Sequence, residues 1–585
     1  MSHKLSEVRI KNFRSCIDAD LKLSGYTPLI GYNNAGKSNA LTAIQWLLRK
    51  TSLDTKDFFN PASSVEVEGI IDGISQDILD QMAENHRSSI VNYISDGKLR
   101  VRRVQTTPNA KVATINISVW NEAAQDWVPN PNGIDNALKS LLPEPIRIGA
   151  MENAAEDASK AKSTTTIGKL LSEFLEPVKT AHGTELAGHL SEVSRRISSD
   201  GDMRFGELAV IDQNVNQKID DLFPGMSLKL HFDTPTFDEL IKSGSIKVYE
   251  NQNQGRDFSS YGHGAQRSIQ MALIQHLAEV KRGAGANLST TLLLIDEPEL
   301  YLHPFAVEQI RQALLALSQN GYQVVLSTHS AQMVTSEQAK SSLLIRKCNQ
   351  RGTYARTRLS DAIQMIVPDS THQMEQLFSL SHSTQVLFSE QVILTEGKTE
   401  LRLLPYIFER ISGKTLGQEK LALVAQSGVR DTRKSLEILG AMDLPAKAIV
   451  DLDYAYTGAV SDGFLQTNDP DINASKLILQ RLEQQGLITL HTNGLPKNGV
   501  VKAAKAFEIF ANEPDAVIHI ENLHNRLKAK CIWVWTKGAI EAHIGTTSKD
   551  ELAWAQFKAL VDTNGLQTTC PEPNTLTDLV QWLST

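Results

Sequence analysis

Two motifs of nucleotide-binding proteins lie more than two hundred residues apart, and they constrain the fold more than any other feature of this chain. Residues 31–38 (GYNNAGKS) fit the phosphate-binding loop pattern, in which Gly-rich turns precede Lys and Ser. Residues 292–298 (LLLIDEP) form an apolar run that ends in two adjacent carboxylates. The pair predicts an α/β nucleotide-binding domain with a long segment between its two halves.

The phosphate-loop pattern stands in the structural context that it needs. Residues 5–10 alternate apolar and polar side chains, and a second short strand is expected to end at Leu29 and Ile30. A helix with apolar positions at residues 41, 44, 47 and 48 follows the loop, so its free N–H groups point at the phosphates. The expected nucleotide-site residues of this segment are Gly31, Asn33, Asn34, Gly36, Lys37, Ser38 and Asn39. Lys37 is expected at the β- and γ-phosphates of ATP, and Ser38 at Mg²⁺.

The two carboxylates after the second apolar run suit a division of labour in ATP hydrolysis. Asp296 is expected to help hold Mg²⁺, and Glu297 to polarise the attacking water. Another apolar run, residues 324–328, ends at His329, where a sensor of the γ-phosphate belongs. The three segments follow in the order expected of an ATPase.

Size and composition bound the interpretation without deciding it. The 585 residues call for roughly three or four domains, and 41% hydrophobic with 22% charged residues is ordinary for globular proteins. No long apolar run or basic, apolar leader is present, so no membrane role and a cytoplasmic location are expected. The four cysteines form no CxxC pair, which favours reduced, buried thiols. A net charge of −8 does not by itself predict nucleic acid as a partner.

The segment between the two nucleotide motifs changes its hydrophobic period. Residues 65–71, 99–104 and 112–119 alternate with period two, which predicts an antiparallel β-lobe. Residues 165–223 carry apolar positions at helical spacing, which predicts a short helical insertion and not a long coiled coil. Two interpretations of the insertion stay open: a helical subdomain packed on its own chain, or a dimerisation element.

A Ser/Gly-rich segment, residues 259–267 (SSYGHGAQR), opens an apolar helix between these parts. Together with the loop, the Asp-Glu pair and the His, its position resembles the signature of the ABC ATPase superfamily. That resemblance implies that Ser260 and Gly262 reach the ATP of a partner subunit. Residues 296–304 (DEPELYLHP) and 10–15 (IKNFRS) are similar to the RecF-like and SMC-like branch and to the OLD (overcoming lysogenization defect) family. The segment lacks the Leu-Ser-Gly-Gly-Gln form, and no glutamine loop is identifiable.

A second acidic cluster follows, and no ATP site needs it. Residues 392–397 (VILTEG) and 448–453 (AIVDLD) are apolar runs that end in carboxylates, and they resemble the two halves of a Toprim domain. Parallel strands would bring Glu396, Asp451 and Asp453 to one sheet edge, with Glu400 one helical turn beyond Glu396. Such a cluster would repel itself unless Mg²⁺ or Mn²⁺ neutralised it.

The two halves together resemble the OLD family nucleases, which join an ABC ATPase to a Toprim nuclease. The resemblance implies dimerisation through the helical insertion and a metal site in which Glu396 and Glu400 serve one position, with Asp451 and Asp453 shared or second. It also implies a later acid, Glu541 in the segment 537–543 (KGAIEAH), and a lysine. Lys549 is the candidate for that lysine, and Lys537 and Lys558 are its rivals.

The sequence thus predicts an ABC-type ATPase head with an antiparallel β-lobe and a helical insertion, followed by a Toprim α/β domain. The expected boundaries are 1–160 and 226–380 for the ATPase, 161–225 for the insertion and 381–585 for the Toprim domain. The expected function is an ATP-regulated, divalent-metal-dependent DNA endonuclease of prokaryotic antiphage defence, with a homodimer or higher homo-oligomer and a helicase or other defence protein as partners. The alternative is a RecF- or SMC-type repair clamp; a primase or topoisomerase is a minor one.

Overall fold

The computed structural model describes residues 3–142, 145–149, 166–236, 239–240, 246–250, 254–283, 290–367, 384–426 and 432–585. The chain divides into two compact units, residues 1–27 with 36–328, and residues 28–35 with 329–585. The expected domain boundaries at 160/161 and 380/381 lie outside the described residues.

The strands of the first unit form an antiparallel lobe, a parallel group and a separate antiparallel pair. They are β1 (Lys4–Phe13), β2 (Cys16–Lys22), β3 (Tyr26–Ile30, which continues into the second unit), β4 (Val65–Asp72), β5 (Ile94–Ser95), β6 (Lys98–Gln105), β7 (Ile117–Asn121), β8 (Asp126–Pro129), β9 (Ile146–Ile148), β10 (Lys247–Val248), β11 (Arg256–Asp257), β12 (Thr291–Asp296) and β13 (Tyr322–Thr328).

The antiparallel lobe follows the order β8-β7-β6-β4-β1-β2. Its strands alternate buried and partly exposed residues, as in β4, because one face packs on the core. The lobe was predicted, with two differences. Residues Val112–Thr114 form a 3₁₀ turn and the strand begins only at Ile117. The chain between β1 and the phosphate loop also makes two strands, β2 and β3, and not one.

The parallel group places the acidic pair at a strand end. Strand β12 lies between β9 and β13 and pairs with both in parallel. Residues Leu292–Ile295 are fully buried, and so are Val324–Leu326. Continuous apolar strands are typical of a parallel sheet covered on both faces. Asp296 is therefore the last residue of a rigid strand, and Glu297 is the first residue beyond it.

The helices of the first unit are α1 (Lys37–Leu48), α2 (Gln76–Gln81), α3 (Glu84–Ile90), α4 (Ile134–Leu141), α5 (Thr166–Ile197), α6 (Gly206–Leu222), α7 (His263–Gly283) and α8 (Pro304–Gln319). The predicted helical insertion corresponds to α5 and α6. Two of its apolar stripes, at residues 167–174 and 186–197, lie on the single 32-residue helix α5.

The second unit contains a parallel sheet in the order β17-β16-β18-β21. The strands of the second unit, inside and outside this sheet, are β14 (Leu343–Cys348), β15 (Gly352–Ala355), β16 (Gln391–Thr395), β17 (Leu421–Ala425), β18 (Ala446–Val450), β19 (Thr489–Leu490), β20 (Pro496–Lys497) and β21 (Ile532–Val534). The predicted strands 392–395 and 448–450 are neighbours, as the sheet-edge prediction required.

The second unit also contains helices, some of which pack against this sheet. They are α9 (Ser336–Ala339), α10 (Leu359–Ile366), α11 (Lys398–Ser412), α12 (Thr432–Ala441), α13 (Asp453–Tyr456), α14 (Gly458–Ser461), α15 (Pro470–Gln484), α16 (Ala503–Ala511), α17 (Pro514–Lys528), α18 (Ile540–Ile544), α19 (Glu551–Asn564), α20 (Leu566–Thr569) and α21 (Pro573–Leu583). One core joins Ile393, Leu404, Ile449, Trp533 and Leu576. In the parts of the chain that the structure describes, no helix is long and apolar enough to cross a bilayer.

The cysteines are only half as expected. Cys16 and Cys570 are buried, whereas Cys348 and Cys531 are exposed. The prediction of buried thiols is therefore wrong for the last two, because Cys348 is the last residue of β14 and Cys531 lies in the turn before β21.

We expect Gly538→Ala to destabilise the second unit. Gly538 has φ +112°, and a Cβ there would lie 2.9 Å from Cγ of Glu508. Its carbonyl accepts the N–H of Leu452 at 2.7 Å, which fixes the turn after β18. The cost is about 1–3 kcal/mol, and the apparent Tm of the full chain, followed by circular dichroism, should fall.

Gly440→Ala is the matched control for this substitution. Gly440 lies in helix α12, and nothing is within 4 Å of a Cβ added there. Alanine in a helix interior is favoured over glycine by about 1 kcal/mol. Equal Tm shifts for the two variants would contradict the assigned role of Gly538.

Candidate functional site

The phosphate loop joins a buried strand to the N-terminus of α1. Gly36 has φ 101° at the N-cap, and Lys37 is buried at the first helical position. Gly31 directly follows β3, and a Cβ there would lie 2.3 Å from the carbonyl oxygen of Ile345, so only glycine fits. The strand, loop and helix predicted from the sequence are confirmed.

The three asparagines of this segment have different surroundings. Asn33 and Asn34 are exposed, and Asn34 has the left-handed backbone angle φ 64°. Asn39 lies in the first turn of α1, where its Nδ2 donates to Ser15 Oγ at 2.7 Å. Asn39 is therefore held by the turn after β1.

Asp296 is the centre of a buried polar cluster. Its Oδ1 accepts hydrogen bonds of 2.9 Å from Ser38 Oγ and from Ser327 Oγ. Its Oδ2 pairs with the guanidinium of Arg147 on β9. Burial lowers the pKa of Arg147, and the charge of Asp296 opposes that shift. The structure thus brings together the two predicted Mg²⁺ ligands, Ser38 and Asp296.

Glu297 follows in a strained turn, which is held by a side chain of helix α7. Its φ is 45°, and its N–H donates to the carbonyl oxygen of Ser327 at 3.0 Å. Arg267 of α7 donates to the carbonyl oxygens of Asp296 at 2.7 Å and Glu297 at 2.8 Å. Burial lowers the pKa of Arg267 to about 10. Arg267 therefore couples the position of α7 to the acidic turn.

Ser260 and Gly262 lie at the start of α7. Both are exposed, and Ser260 Oγ donates to the carbonyl oxygen of Asp257 at 2.6 Å. The Gly262 carbonyl accepts the N–H of Gln266, and nothing lies within 4 Å of an added Cβ. In the described chain neither residue hydrogen-bonds to Ser38 or Asp296. His329 directly follows β13 and is exposed.

The acidic residues of the second unit meet at one edge of the parallel sheet. Glu396 follows β16 and Asp451 follows β18, and the N–H of Asp451 donates to Glu396 Oε2 at 3.0 Å. Asp453 begins α13. Glu400 lies in the first turn of α11 and is 2% exposed. Register in the sheet, and not nearness in sequence, brings these side chains together.

Strand β21 adds Glu541 to the same edge. It pairs in parallel with β18, and Glu541 lies in the short helix α18 beyond it. Lys549 Nζ lies 3.4 Å from Glu541 Oε2 and 3.9 Å from Asp451 Oδ2. Of its rivals, Lys537 Nζ donates to the Ala511 carbonyl, and Lys558 lies over the Tyr406 ring. The geometry singles out Lys549.

The electrostatics of this edge are those of crowded, poorly solvated carboxyls. Burial, and then the charges of Asp453 and Glu400, raise the pKa of Glu396 to about 7. Burial also raises the pKa values of Glu400, Asp451 and Asp453. Burial lowers the pKa of Lys549, but Asp451 and Glu541 raise it more. These groups favour a cation among them.

The donor set fits a hard divalent cation, since Mg²⁺ and Mn²⁺ prefer carboxylate oxygens. Glu541 Oε2 is buried and has no hydrogen-bond partner in the described chain. In the described residues, however, no three His, Cys, Asp or Glu side chains are already positioned together to hold a metal ion. Binding would therefore require adjustment of these side chains.

Four polar residues of these sites escaped the sequence analysis. Arg147 contacts Asp296, Arg267 contacts the acidic turn, Thr399 donates to Glu541, and Trp535 donates to Glu400. Arg267 is the last residue of the Ser/Gly-rich segment and Thr399 directly precedes Glu400, so their positions were a usable signal. Arg147 lies in the short strand β9 and Trp535 directly follows the short strand β21, both without any motif, so only the sheet pairing reveals their role.

Comparison with known proteins agrees with both halves. Residues 27–334 match the family described as AAA domain, putative AbiEii toxin, Type IV TA system. Residues 387–453 match the family described as Overcoming lysogenization defect protein-like, TOPRIM domain. The predicted fold class, an ATPase head followed by a Toprim domain, is confirmed.

Three curated relatives extend over most of the chain. The Old nuclease of Escherichia phage P2 is 37% identical over 595 residues, covering 100% of both chains. The OLD nuclease of Thermus scotoductus is 21% identical over 77% of this chain and 82% of its own. Endonuclease GajA of Bacillus cereus is 19% identical over 70% of this chain and 68% of its own. The chain belongs to the OLD (overcoming lysogenization defect) family, and it is a nuclease that joins an ATPase domain to a Toprim domain.

Proposed function

We propose that this protein is an ATP-regulated, divalent-metal-dependent DNA endonuclease that acts in the cytoplasm in prokaryotic defence against phage. The observation that carries the proposal is the sheet edge where Glu396, Asp451 and Glu541 lie with Lys549. DNA as substrate is supported by the nuclease relatives, and defence by the resemblance to the OLD family. A helicase or other defence protein as a partner belongs to the same proposal.

The chemistry follows from the residue types at this edge. Mg²⁺ or Mn²⁺ would be held by five carboxylates: Glu396, Glu400, Asp451, Asp453 and Glu541. When bound, the metal would activate water and stabilise the leaving 3′-oxygen of the cleaved strand. The ammonium of Lys549 would stabilise the charge that develops on the phosphate.

Asp451→Ala tests the nuclease site. It removes a proposed metal ligand, and loss of even an indirect partner of a metal costs about 10–100-fold. Cleavage of supercoiled and linear DNA with Mg²⁺ or Mn²⁺ should therefore fall by more than about 100-fold. ATP hydrolysis should not change, because Asp451 is not among the residues proposed to bind or hydrolyse the nucleotide.

Asp515→Ala is the control, since Asp515 is an exposed surface residue that pairs with Arg481. Wild-type cleavage by the Asp451→Ala protein, with contaminating nucleases excluded, would overturn the site. The ATPase would then have to serve a clamp or a signalling switch of the RecF or SMC type.

The nucleotide site is proposed on the contacts of Asp296. Lys37 and the loop residues Gly31, Asn33, Asn34, Gly36 and Asn39 would bind the phosphates, Ser38 and Asp296 would hold Mg²⁺, Glu297 would polarise water, and His329 would sense the γ-phosphate. The hydrogen bond between Ser38 and Asp296 supports the two metal ligands, because both oxygens already face each other.

Lys37→Ala and Glu297→Gln should separate nucleotide binding from hydrolysis. Lys37→Ala removes the phosphate-binding charge, so ATP binding measured by calorimetry should be lost. Glu297→Gln leaves the loop intact, so binding should persist while phosphate release stops. Equal ATP affinity in the wild type and Lys37→Ala would refute the assignment.

A homodimer or higher homo-oligomer is part of the proposal. Ser260 and Gly262 are exposed and would bind the ATP of the second subunit. Helices α5 and α6 would supply a constitutive contact. Several apolar side chains of these helices are exposed, which supports a covered surface; they are Val178, Leu186, Val193, Val210 and Ile211.

Regulation by ATP is supported by contacts of Tyr32 in the phosphate loop. Its ring lies 5.0 Å from the guanidinium of Arg346 and 4.4 Å from Nζ of Lys420. Arg346 pairs with Glu390 at 3.1 Å, and the N–H of Glu390 donates to the carbonyl oxygen of Lys420 at 2.9 Å. All these residues belong to the second unit.

The same contacts lead to the sheet edge that carries Glu396, Glu400, Asp451, Asp453 and Glu541, which we call the nuclease edge. Glu390 immediately precedes β16, and Glu396 immediately follows it. A shift of Tyr32 on nucleotide binding would displace the start of β16, and the proposed metal ligand Glu396 lies at the other end of this strand. We propose that this path carries the regulation.

Lys420→Met should therefore uncouple cleavage from nucleotide. We expect the ratio of cleavage rates with and without ATP to differ from 1 in the wild type and to approach 1 in the variant. ATP binding and nucleotide-free cleavage should persist. The control is Lys414→Met, since Lys414 is exposed and pairs with Glu419. An unchanged ratio in Lys420→Met would reject this path.

A further inference from the structure

Two buried carboxylates of the nuclease edge are each held by a neutral side-chain donor. The indole Nε1 of Trp535 donates to Glu400 Oε1 at 3.1 Å. The hydroxyl of Thr399 donates to Glu541 Oε1 at 2.6 Å. In both cases the donor fixes one of the two carboxylate oxygens.

The environment makes these hydrogen bonds decisive for orientation. Glu400 and Thr399 are each 2% exposed, Glu541 is 6% exposed, and Trp535 is fully buried. Water has little access as an alternative partner, so loss of either donor would leave a buried acceptor without its hydrogen bond. A neutral donor also leaves the negative charge of the carboxylate available to a cation.

The second oxygen of each carboxylate is not bound by Trp535 or Thr399, and it lies near other residues of the site. Glu541 Oε2 lies 3.4 Å from Lys549 Nζ and accepts no hydrogen bond within the described chain. Glu400 Oε2 lies 2.7 Å from the position of a Cβ added at Gly397, the residue after Glu396. Glycine at 397 therefore leaves the space that this oxygen occupies.

Trp535 is itself fixed by the strand that carries Asp451. The backbone N–H of Trp535 donates to the carbonyl oxygen of Val450 at 3.0 Å, and Val450 is the last residue of β18. His543 packs against its indole with ring centroids 4.8 Å apart. The indole N–H can only donate, so it cannot take the place of a metal ligand.

We propose that Trp535 and Thr399 are positioning residues of the metal site, which hold one oxygen of Glu400 and of Glu541 so that the other is presented to a divalent cation. This inference rests on the proposed nuclease function. Neither residue contacts the reacting atoms. Their contribution is to hold Glu400 and Glu541 before the cation binds, so that the adjustment is left to the other carboxylates and the cost of assembling the site is lower.

The test compares two tryptophans of the same segment in the full-length protein. Trp535→Phe keeps the buried aromatic ring but removes the hydrogen-bond donor. Trp533→Phe is the matched control, because Trp533 is 1% exposed and its Nε1 has no hydrogen-bond partner in the described residues. Calorimetric titration with Mn²⁺ alone measures the dissociation constant of each.

Trp535→Phe should weaken Mn²⁺ binding by about 10–100-fold, as expected for an outer partner of a metal ligand. Trp533→Phe should bind Mn²⁺ like the wild type. Equal dissociation constants for the two variants, with unchanged circular dichroism, would overturn the role of Trp535. A wild-type protein that binds no Mn²⁺ would instead overturn the proposed function together with this inference.

Thr399 gives a second test that does not depend on replacing a core tryptophan. Thr399→Val keeps the shape but lacks the hydroxyl, and Thr399→Ser restores it. Mn²⁺ affinity should fall in the first variant and return in the second, with DNA cleavage recovered in Thr399→Val at high Mn²⁺. Equal Mn²⁺ affinities of Thr399→Val and Thr399→Ser would overturn the role of Thr399, because the affinity would then not depend on the hydroxyl.

Discussion

The parallel pairing of β16 with β18 is the constraint on which the nuclease edge depends. Parallel strands end at the same side of a sheet, so the residues after them must share one small region. Here those residues are Glu396 and Asp451, and the sheet holds them together although burial and repulsion disfavour their charges. Neighbouring hydrophobic strands, not the acids themselves, provide the free energy that keeps this arrangement.

The two acidic sites of the chain resolve the same electrostatic problem differently. Asp296 has a buried arginine as a direct partner, along with two serine hydroxyls, so its charge is compensated within the protein. Among the described residues, the ion pairs of the nuclease edge come from the exposed Lys549, whose Nζ lies 3.4 Å from Glu541 and 3.9 Å from Asp451. A divalent cation would supply the charge that such an edge lacks, whereas at Asp296 a cation would have to compete with Arg147.

Backbone geometry protects these placements. Gly31 lies so close to the Ile345 carbonyl that no side chain fits, and Gly397 leaves room for a carboxylate oxygen of Glu400. Glu297, in contrast, takes a left-handed backbone angle without being glycine. Its strain is offset by Arg267, which binds the carbonyl oxygens of that turn. Glycine occupies the positions where space is limiting. At position 297, where a carboxylate side chain is needed, the buried guanidinium of Arg267 stabilises the strained turn instead.

The sequence by itself determined the parts that depend on local pattern. Apolar runs ending in Asp296, Glu396 and Asp451 predicted strand ends, and the loop ending at Ser38 predicted a helix start, because strand and helix periods are local properties. The same locality misplaced one strand start at Val112 and divided helix α5 into two stripes.

Only the tertiary structure decided which of three lysines joins the acids, and that Arg147 and Trp535 contact Asp296 and Glu400. The Arg147 and Trp535 contacts join residues 149 and 135 positions apart. All of these contacts depend on which strands pair and in which register. Sequence periodicity carries no information on that pairing, because any buried strand offers the same pattern to each possible neighbour.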